Sequence, residues 1–129
     1  MTSVRLRPVV PGRARGRIVK VESLSFYGEV DPRRGVLIGD GRSVRGRILF
    51  IGRSRGSTVG SYVIYALKYH GNAPAAIVMI RSEPIVITGA ILAGIPLFEG
   101  LPREVFESAR EGECASIGSD GVLVLGVDC

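Results

Sequence analysis

The stretch RILFIGRSRGSTVGSYVIYALKYH, residues 47–70, decides how the rest of the chain is read. Its first five residues, Arg47 to Ile51, form a short apolar run of strand length. Tyr62 to His70 has helical composition and stops at Gly71, a residue suited to a helix end. A second apolar run, Ala75 to Ile80, follows almost at once. A strand over 47–51, a helix from about 58 to 70 and a strand over 75–80 predict a βαβ unit with parallel strands and a right-handed crossover. The helix is expected to bury one face made of Tyr62, Val63, Ala66, Leu67 and His70.

The segment joining the first strand to the helix, Gly52 to Ser61, is where a ligand is expected. A strand, a glycine-rich turn and a helix start bring unpaired backbone N–H groups and the positive end of the helix dipole to one place. Such a place binds anions. Arg53 and Arg55 add full charges, and Gly56, Ser57, Gly60 and Ser61 are small enough to admit another molecule closely. The segment lacks the lysine of a phosphate loop and the GxGxxG of a dinucleotide site. Ser57 and Thr58 are also good N-cap residues, so capping and ligand binding stand as two readings of the same side chains.

Upstream, residues 4–10 and 15–22 read as strands about a Pro11-Gly12 turn. Residues 24–30 read as a loop, Asp31 to Gly35 as a turn and Val36 to Ile38 as a short strand. No helix is predicted in this first third. Downstream, Ser82-Glu83-Pro84 reads as an N-cap with proline in the first turn, starting a helix from Ile85 to about Ala93 that ends at Gly94. Ile95 to Phe98 reads as an edge strand because of Pro96. A short helix after Pro102, closed by Gly112, leads to a hairpin of 113–117 and 122–125 about Ser119-Asp120-Gly121. The fold class is α/β, a β-rich N-terminal lobe packed on a small sheet with helices, in a single unit over 1–129.

The 129 residues are 46% apolar, which excludes disorder, and contain no run of membrane-spanning length. The N-terminal residues lack the apolar core of a signal peptide, which places the chain in the cytoplasm. Residues 1–55 carry a net charge of +9 and residues 56–129 a net charge of −4. Fifteen of the seventeen basic residues are arginine, which favours forked contacts to carboxylate and phosphate and hence an anionic small molecule. Arg13, Arg15 and Arg17 read as a solvated face, and the absence of an RNA-binding pattern argues against a nucleic-acid partner, the alternative that a basic half brings to mind. Tyr27, Tyr62, Tyr65 and Tyr69 read as core and interface packing, and His70 as a helix-end residue that helps cap carbonyls. With two cysteines, Cys114 and Cys129, and one histidine, the chain has no metal constellation of its own.

Several motifs, in order, resemble the small subunit of the aconitase X family. They are PGRARG at 11–16, LSFYG at 24–28 with Asp31-Pro32, RGSTVGSYV at 55–63, APAAIV at 73–78, Glu83-Pro84-Ile85, and GAILAGIP at 89–96. The resemblance runs from about residue 8 to 125 and includes the free-standing small subunits found in archaea. It implies a swivelling β/β/α domain like the mobile domain of aconitases, and a larger partner subunit holding a [4Fe–4S]-type cluster. It further implies dehydration of (R)-5-phosphomevalonate to trans-anhydromevalonate 5-phosphate in a modified mevalonate pathway to isoprenoids. Related enzymes of the family dehydrate hydroxyproline-like substrates, which stays open as an alternative. The aconitase serine lies in a Gly-Ser-Ser-Arg turn, so Gly56-Ser57-Thr58 gives Ser57 the proton-acceptor role. Val59 replaces the arginine of that turn, leaving Arg55, with Gly56, Thr58, Gly60 and Ser61, as the expected substrate-binding set.

Overall fold

A computed structural model describes residues 2–129. The βαβ unit is present: β6 (Ile48–Ser54) runs parallel to β7 (Ala76–Met79), with α2 (Gly60–Tyr69) between them. Residues Ile48 to Ile51 of β6 are apolar without alternation because both faces of the strand are covered there. Ile48 and Phe50 point to one core, and Leu49 and Ile51 to the other.

The two cores follow from how the sheet rolls. Its eight strands run in the order β1 (Ser3–Arg5), β10 (Val122–Leu125), β9 (Cys114–Ile117), β3 (Ala14–Leu24), β6, β7, β8 (Leu97–Glu99) and β2 (Arg7–Val10). The outermost strands, β1 (Ser3–Arg5) and β2 (Arg7–Val10), are joined through Leu6 alone, so the sheet curls until its ends meet. The Leu6 N–H donates to the Gly121 carbonyl at 2.7 Å, which extends the pairing of β1 with the strand over Val122–Leu125 by one residue before the chain crosses to β2. The eleven-residue β3 (Ala14–Leu24) serves both halves. Its first residues pair antiparallel with β9 (Cys114–Ile117), and its later ones pair parallel with β6. Inside the roll, Ile18, Phe50, Val78 and Phe98 meet Ala115, Ile117 and Leu123 of the β9–β10 (Val122–Leu125) hairpin. On the outer face of the parallel strands, Leu49, Ile51, Ile77 and Met79 pack under α2 and α3 (Pro84–Ala93) through Ile64, Leu67, Val86 and Ala90. The result is a β/β/α layering. The second β layer draws on both ends of the chain, since β9 and β10 join β1 there.

The helices of the α layer cross at Gly89. A Cβ at that position would lie 2.8 Å from Ile64 Cδ1 and 3.1 Å from Ser61 Cα, so glycine permits the approach. The buried stripe of α2 is Gly60, Ile64 and Leu67. The expected face of Tyr62, Val63, Ala66, Leu67 and His70 is therefore corrected. Tyr62, Tyr65 and Tyr69 stand on the opposite side in water, and Tyr27 is also exposed, so none is a core residue. Their hydroxyls keep water as partner while the small and branched residues of α2 take the crowded contact. His70 makes an edge contact with the Tyr69 ring, and its backbone N–H, rather than its side chain, reaches the Ala66 carbonyl.

Other expectations shift in detail. The 4–10 strand breaks at Leu6, and its second part pairs with β8 (Leu97–Glu99) instead of folding back on β3. Residues expected as a loop contain the short turn of helix α1 (Phe26–Glu29) and β4 (Val30–Asp31), which pairs with β5 (Val36–Leu37). Pro96 lies just outside β8, which is flanked by β7 and β2 and so is not an edge; the edge proline is Pro8 in β2. The last helix, α4 (Arg103–Ser108), ends before Gly112. No helix among the described residues is long and apolar enough to cross a membrane.

Cys114 and Cys129 form a disulfide with a Cα–Cα separation of 5.5 Å, a pairing the sequence reading does not make. It fastens the C-terminal residue to β9, where Arg15 and Arg17 also donate to the Asp128 and Gly112 carbonyls at 2.6 and 2.9 Å. Two members of the basic cluster on β3 thus hold the chain's own backbone. A 15-residue separation corresponds to about 3 kcal/mol of lost chain entropy in the unfolded state. Reductant, or Cys129→Ser, is expected to lower the melting temperature by several degrees in calorimetry. An unchanged melt in both would show that the tail is held without the bridge.

Candidate active-site loop

The parallel strands β3, β6, β7 and β8 end at one edge of the sheet, the edge at which open α/β sheets bind ligands. Strand β6 delivers the chain there at Ser54. A Cβ on Gly52 would lie 2.5 Å from the Glu22 carbonyl oxygen, so glycine lets β6 run close to β3 as it reaches that edge. Residues 55–59 then bridge to α2.

This bridge is not capped. Helix α2 begins at Gly60, its cap position is Val59, and no side chain caps it. Ser57 contributes its backbone carbonyl, which accepts the Gly60 N–H at 2.8 Å. The Thr58 carbonyl accepts the Ser61 hydroxyl at 3.4 Å. The reading of Ser57 or Thr58 as an N-cap is thus corrected, because the helix starts later than the statistics of Ser and Thr imply. Among the described residues the backbone N–H groups of Gly56, Ser57, Thr58 and Val59 have no acceptor, and neither has the Ser57 hydroxyl, which is half-exposed. The neighbouring helix differs. At α3 the Glu83 carboxylate accepts the Ile85 and Val86 N–H groups at 3.1 and 2.9 Å, so that helix start is closed by its own chain. Within the expected Ser82-Glu83-Pro84 cap, Glu83 is the capping residue and Pro84 opens the helix. Ser82 instead donates to Glu99, which also pairs with Arg7 at 3.3 Å on the same sheet edge.

The expected binding residues separate into two groups. Arg55, Gly56, Ser57 and Thr58 lie on the open bridge. Gly60 is buried, and a Cβ there would fall 3.4 Å from Ile85 Cγ2 and 3.8 Å from Phe26 Cβ. Ser61 is half-buried where α2 crosses Gly89. These two residues set the position of the loop by packing.

Arg55 is held in place. Its N–H donates to the Leu24 carbonyl and its Nε to the Ser23 hydroxyl, both at 2.8 Å, and one terminal nitrogen pairs with Glu29. Glu29 in turn accepts the Ser25 N–H at 2.8 Å. That hydrogen bond first, and the Arg55 guanidinium second, hold the Glu29 carboxyl below the usual carboxylate range. Glu29 and Ser23 escape sequence reasoning because no motif or spacing links them to Arg55. The only local signal is the glycine at 28, whose φ of 92° lets the chain double back.

The side chains of the described residues do not suit an iron–sulfur cluster. The chain's two cysteines are bonded to each other, and no group of three His, Cys, Asp or Glu side chains gathers among the described residues.

The family described as the aconitase X swivel domain matches residues 3–125, and the chain belongs to it. Over 123 residues it is 60% identical to the phosphomevalonate dehydratase small subunit of Aeropyrum pernix, covering 95% of this chain and 92% of that one. The protein of the same name from Thermococcus gammatolerans is 51% identical over 123 residues, covering 85% and 94%. The crystal structure of Thermococcus kodakaraensis aconitase X in its holo-form superposes with a TM-score of 0.89 at 35% identity, over 97% of this chain and 98% of that one. The β/β/α layering is that of the swivel domain.

Proposed function

We propose that this chain is the small, serine-bearing subunit of a phosphomevalonate dehydratase, a hydro-lyase that acts only with a large partner subunit. The reaction removes water from (R)-5-phosphomevalonate to give trans-anhydromevalonate 5-phosphate, in a modified mevalonate pathway to isoprenoids. The substrate assignment is supported by the near-full-length kinship with small subunits of that name. The observation that carries the assignment of the site is the uncapped start of α2: a free Ser57 hydroxyl among four consecutive free amides.

Elimination beside a carboxylate requires a group that takes the α-proton while the hydroxyl on the next carbon departs. Ser57 Oγ is that group in this reading. A serine hydroxyl is a weak base unless its alkoxide is stabilised. The free amides of residues 56–59 and the positive end of α2 provide such a field once the partner excludes water. Arg55 adds charge-assisted donors for an anionic group of the substrate. The large subunit would hold the [4Fe–4S]-type cluster and supply the Lewis acid for the departing hydroxide. The chain acts as one swivelling body, residues 1–129, and works in the cytoplasm, where such a substrate is made.

The substrate is tested by assaying the co-purified two-subunit complex against (R)-5-phosphomevalonate and against hydroxyproline. Water loss from the phosphorylated acid, without turnover of hydroxyproline, is expected. Turnover of hydroxyproline alone would move the chain to the other branch of the family.

A further inference from the structure

We propose that Glu29 is the positioning residue for Arg55, holding the guanidinium where its remaining donors meet the substrate anion beside Ser57. The proposal rests on the reading of the 55–59 loop as the site of proton transfer.

Arg55 is anchored from three directions, by the Leu24 carbonyl on its backbone N–H, by Ser23 on Nε and by Glu29 on a terminal nitrogen. A guanidinium has five N–H donors; two are committed, to Ser23 and Glu29, which leaves three for a ligand. Glu29 is itself fixed. The chain leaves β3 at Leu24, turns through Tyr27 and Gly28 out of helical geometry, and returns the Glu29 carboxylate to the Ser25 N–H. The Ser25 hydroxyl donates to the Tyr27 carbonyl at 3.0 Å and secures the same turn. Arg42 lines a shallow cleft together with Ser23 and Glu29. It is engaged by Asp40 and Glu111 at 2.9 and 3.0 Å, so it does not compete with Arg55 for Glu29.

As a stability device the pair has little value, because both side chains are about half exposed, 48% and 41%. A long, flexible arginine beside an open loop does, however, need its direction fixed if it is to face a substrate at all. A carboxylate behind it also cancels its charge at rest. The arginine then acts through the direction of its hydrogen bonds more than through attraction at a distance.

The test uses the two-subunit complex with Glu29→Gln, alone and combined with Arg55→Ala. Glu29→Gln is expected to lower kcat about 10-fold or more, within the 10²-fold range of a misplaced group. KM should not rise, since the site becomes more positive toward its anionic substrate. In the Arg55→Ala background the same change is expected to have no further effect, because the two residues act as one unit. Ser23→Ala, which removes the other brace without altering charge, should lower kcat in the same direction by less. In the free chain, the Arg55 Nε–H should lose its protection from solvent exchange by NMR when Glu29 is replaced. An unchanged kcat in Glu29→Gln, or an equal loss with and without Arg55, would overturn the proposal. Should Ser57→Ala abolish turnover while Glu29→Gln does not, only the role of Glu29 fails. If Ser57→Ala is active, the loop reading beneath it fails.

Discussion

Replacing Ser57 with alanine is expected to lower kcat of the assembled enzyme at least about 10²-fold, the usual floor for losing a general base. The fold should be unaffected. Capping serines cost about 0.5–2 kcal/mol when truncated, but Ser57 makes no capping bond and the start of α2 rests on the Ser57 carbonyl, which alanine retains. Melting temperature, assembly with the large subunit and substrate binding should therefore match the parent. Ser57→Gly sharpens the comparison, since it also keeps the carbonyl and the free amides but cannot take a proton. A melt that falls while kcat stays within a few-fold of the parent would assign the residue to structure.

The purified chain alone is expected to have no dehydratase activity, and mixing with its large partner under anaerobic conditions should restore turnover. The effect is all or none for a physical reason. The 55–59 loop lies at an open sheet edge, so water reaches the free amides and would weaken the field that a proton-accepting Ser57 would require. Among the described residues, no side chains are arranged to hold the group that would draw off the hydroxide. A second surface closing over the loop would repair both defects. Turnover by the small chain free of partner would contradict the division of labour.

The βαβ core is legible in the sequence because β6 and β7 are buried on both faces, which leaves an unbroken apolar run, and because glycines mark the loop between β6 and α2. The rolled sheet is not legible. Its seam depends on a break at Leu6, an apolar residue with no turn signal, and on a pairing of β1 with β10 more than a hundred residues away. The exposed tyrosines of α2 mislead because their rings count as apolar while their hydroxyls stay in water. At the site, Gly56, Ser57 and Arg55 are visible as a motif. That α2 starts uncapped at Gly60 is a matter of backbone geometry, for which Ser and Thr preferences are only an average. The Glu29 and Ser23 brace joins Arg55 to residues 26 and 32 positions away, and nothing local announces it; two cysteines allow only the Cys114–Cys129 pairing, but their 15-residue separation does not by itself say that the bridge forms.

The central claim is that this chain brings the proton acceptor, and it is tested most directly by following the α-proton itself. Substrate carrying deuterium on the carbon beside the carboxylate is incubated with complexes containing either the parent chain or Ser57→Ala, and loss of the label to water is measured alongside product. Washout is expected with the parent complex and none with Ser57→Ala, although the variant complex assembles and binds substrate. Washout at an undiminished rate in the Ser57→Ala complex would place the base elsewhere and contradict it.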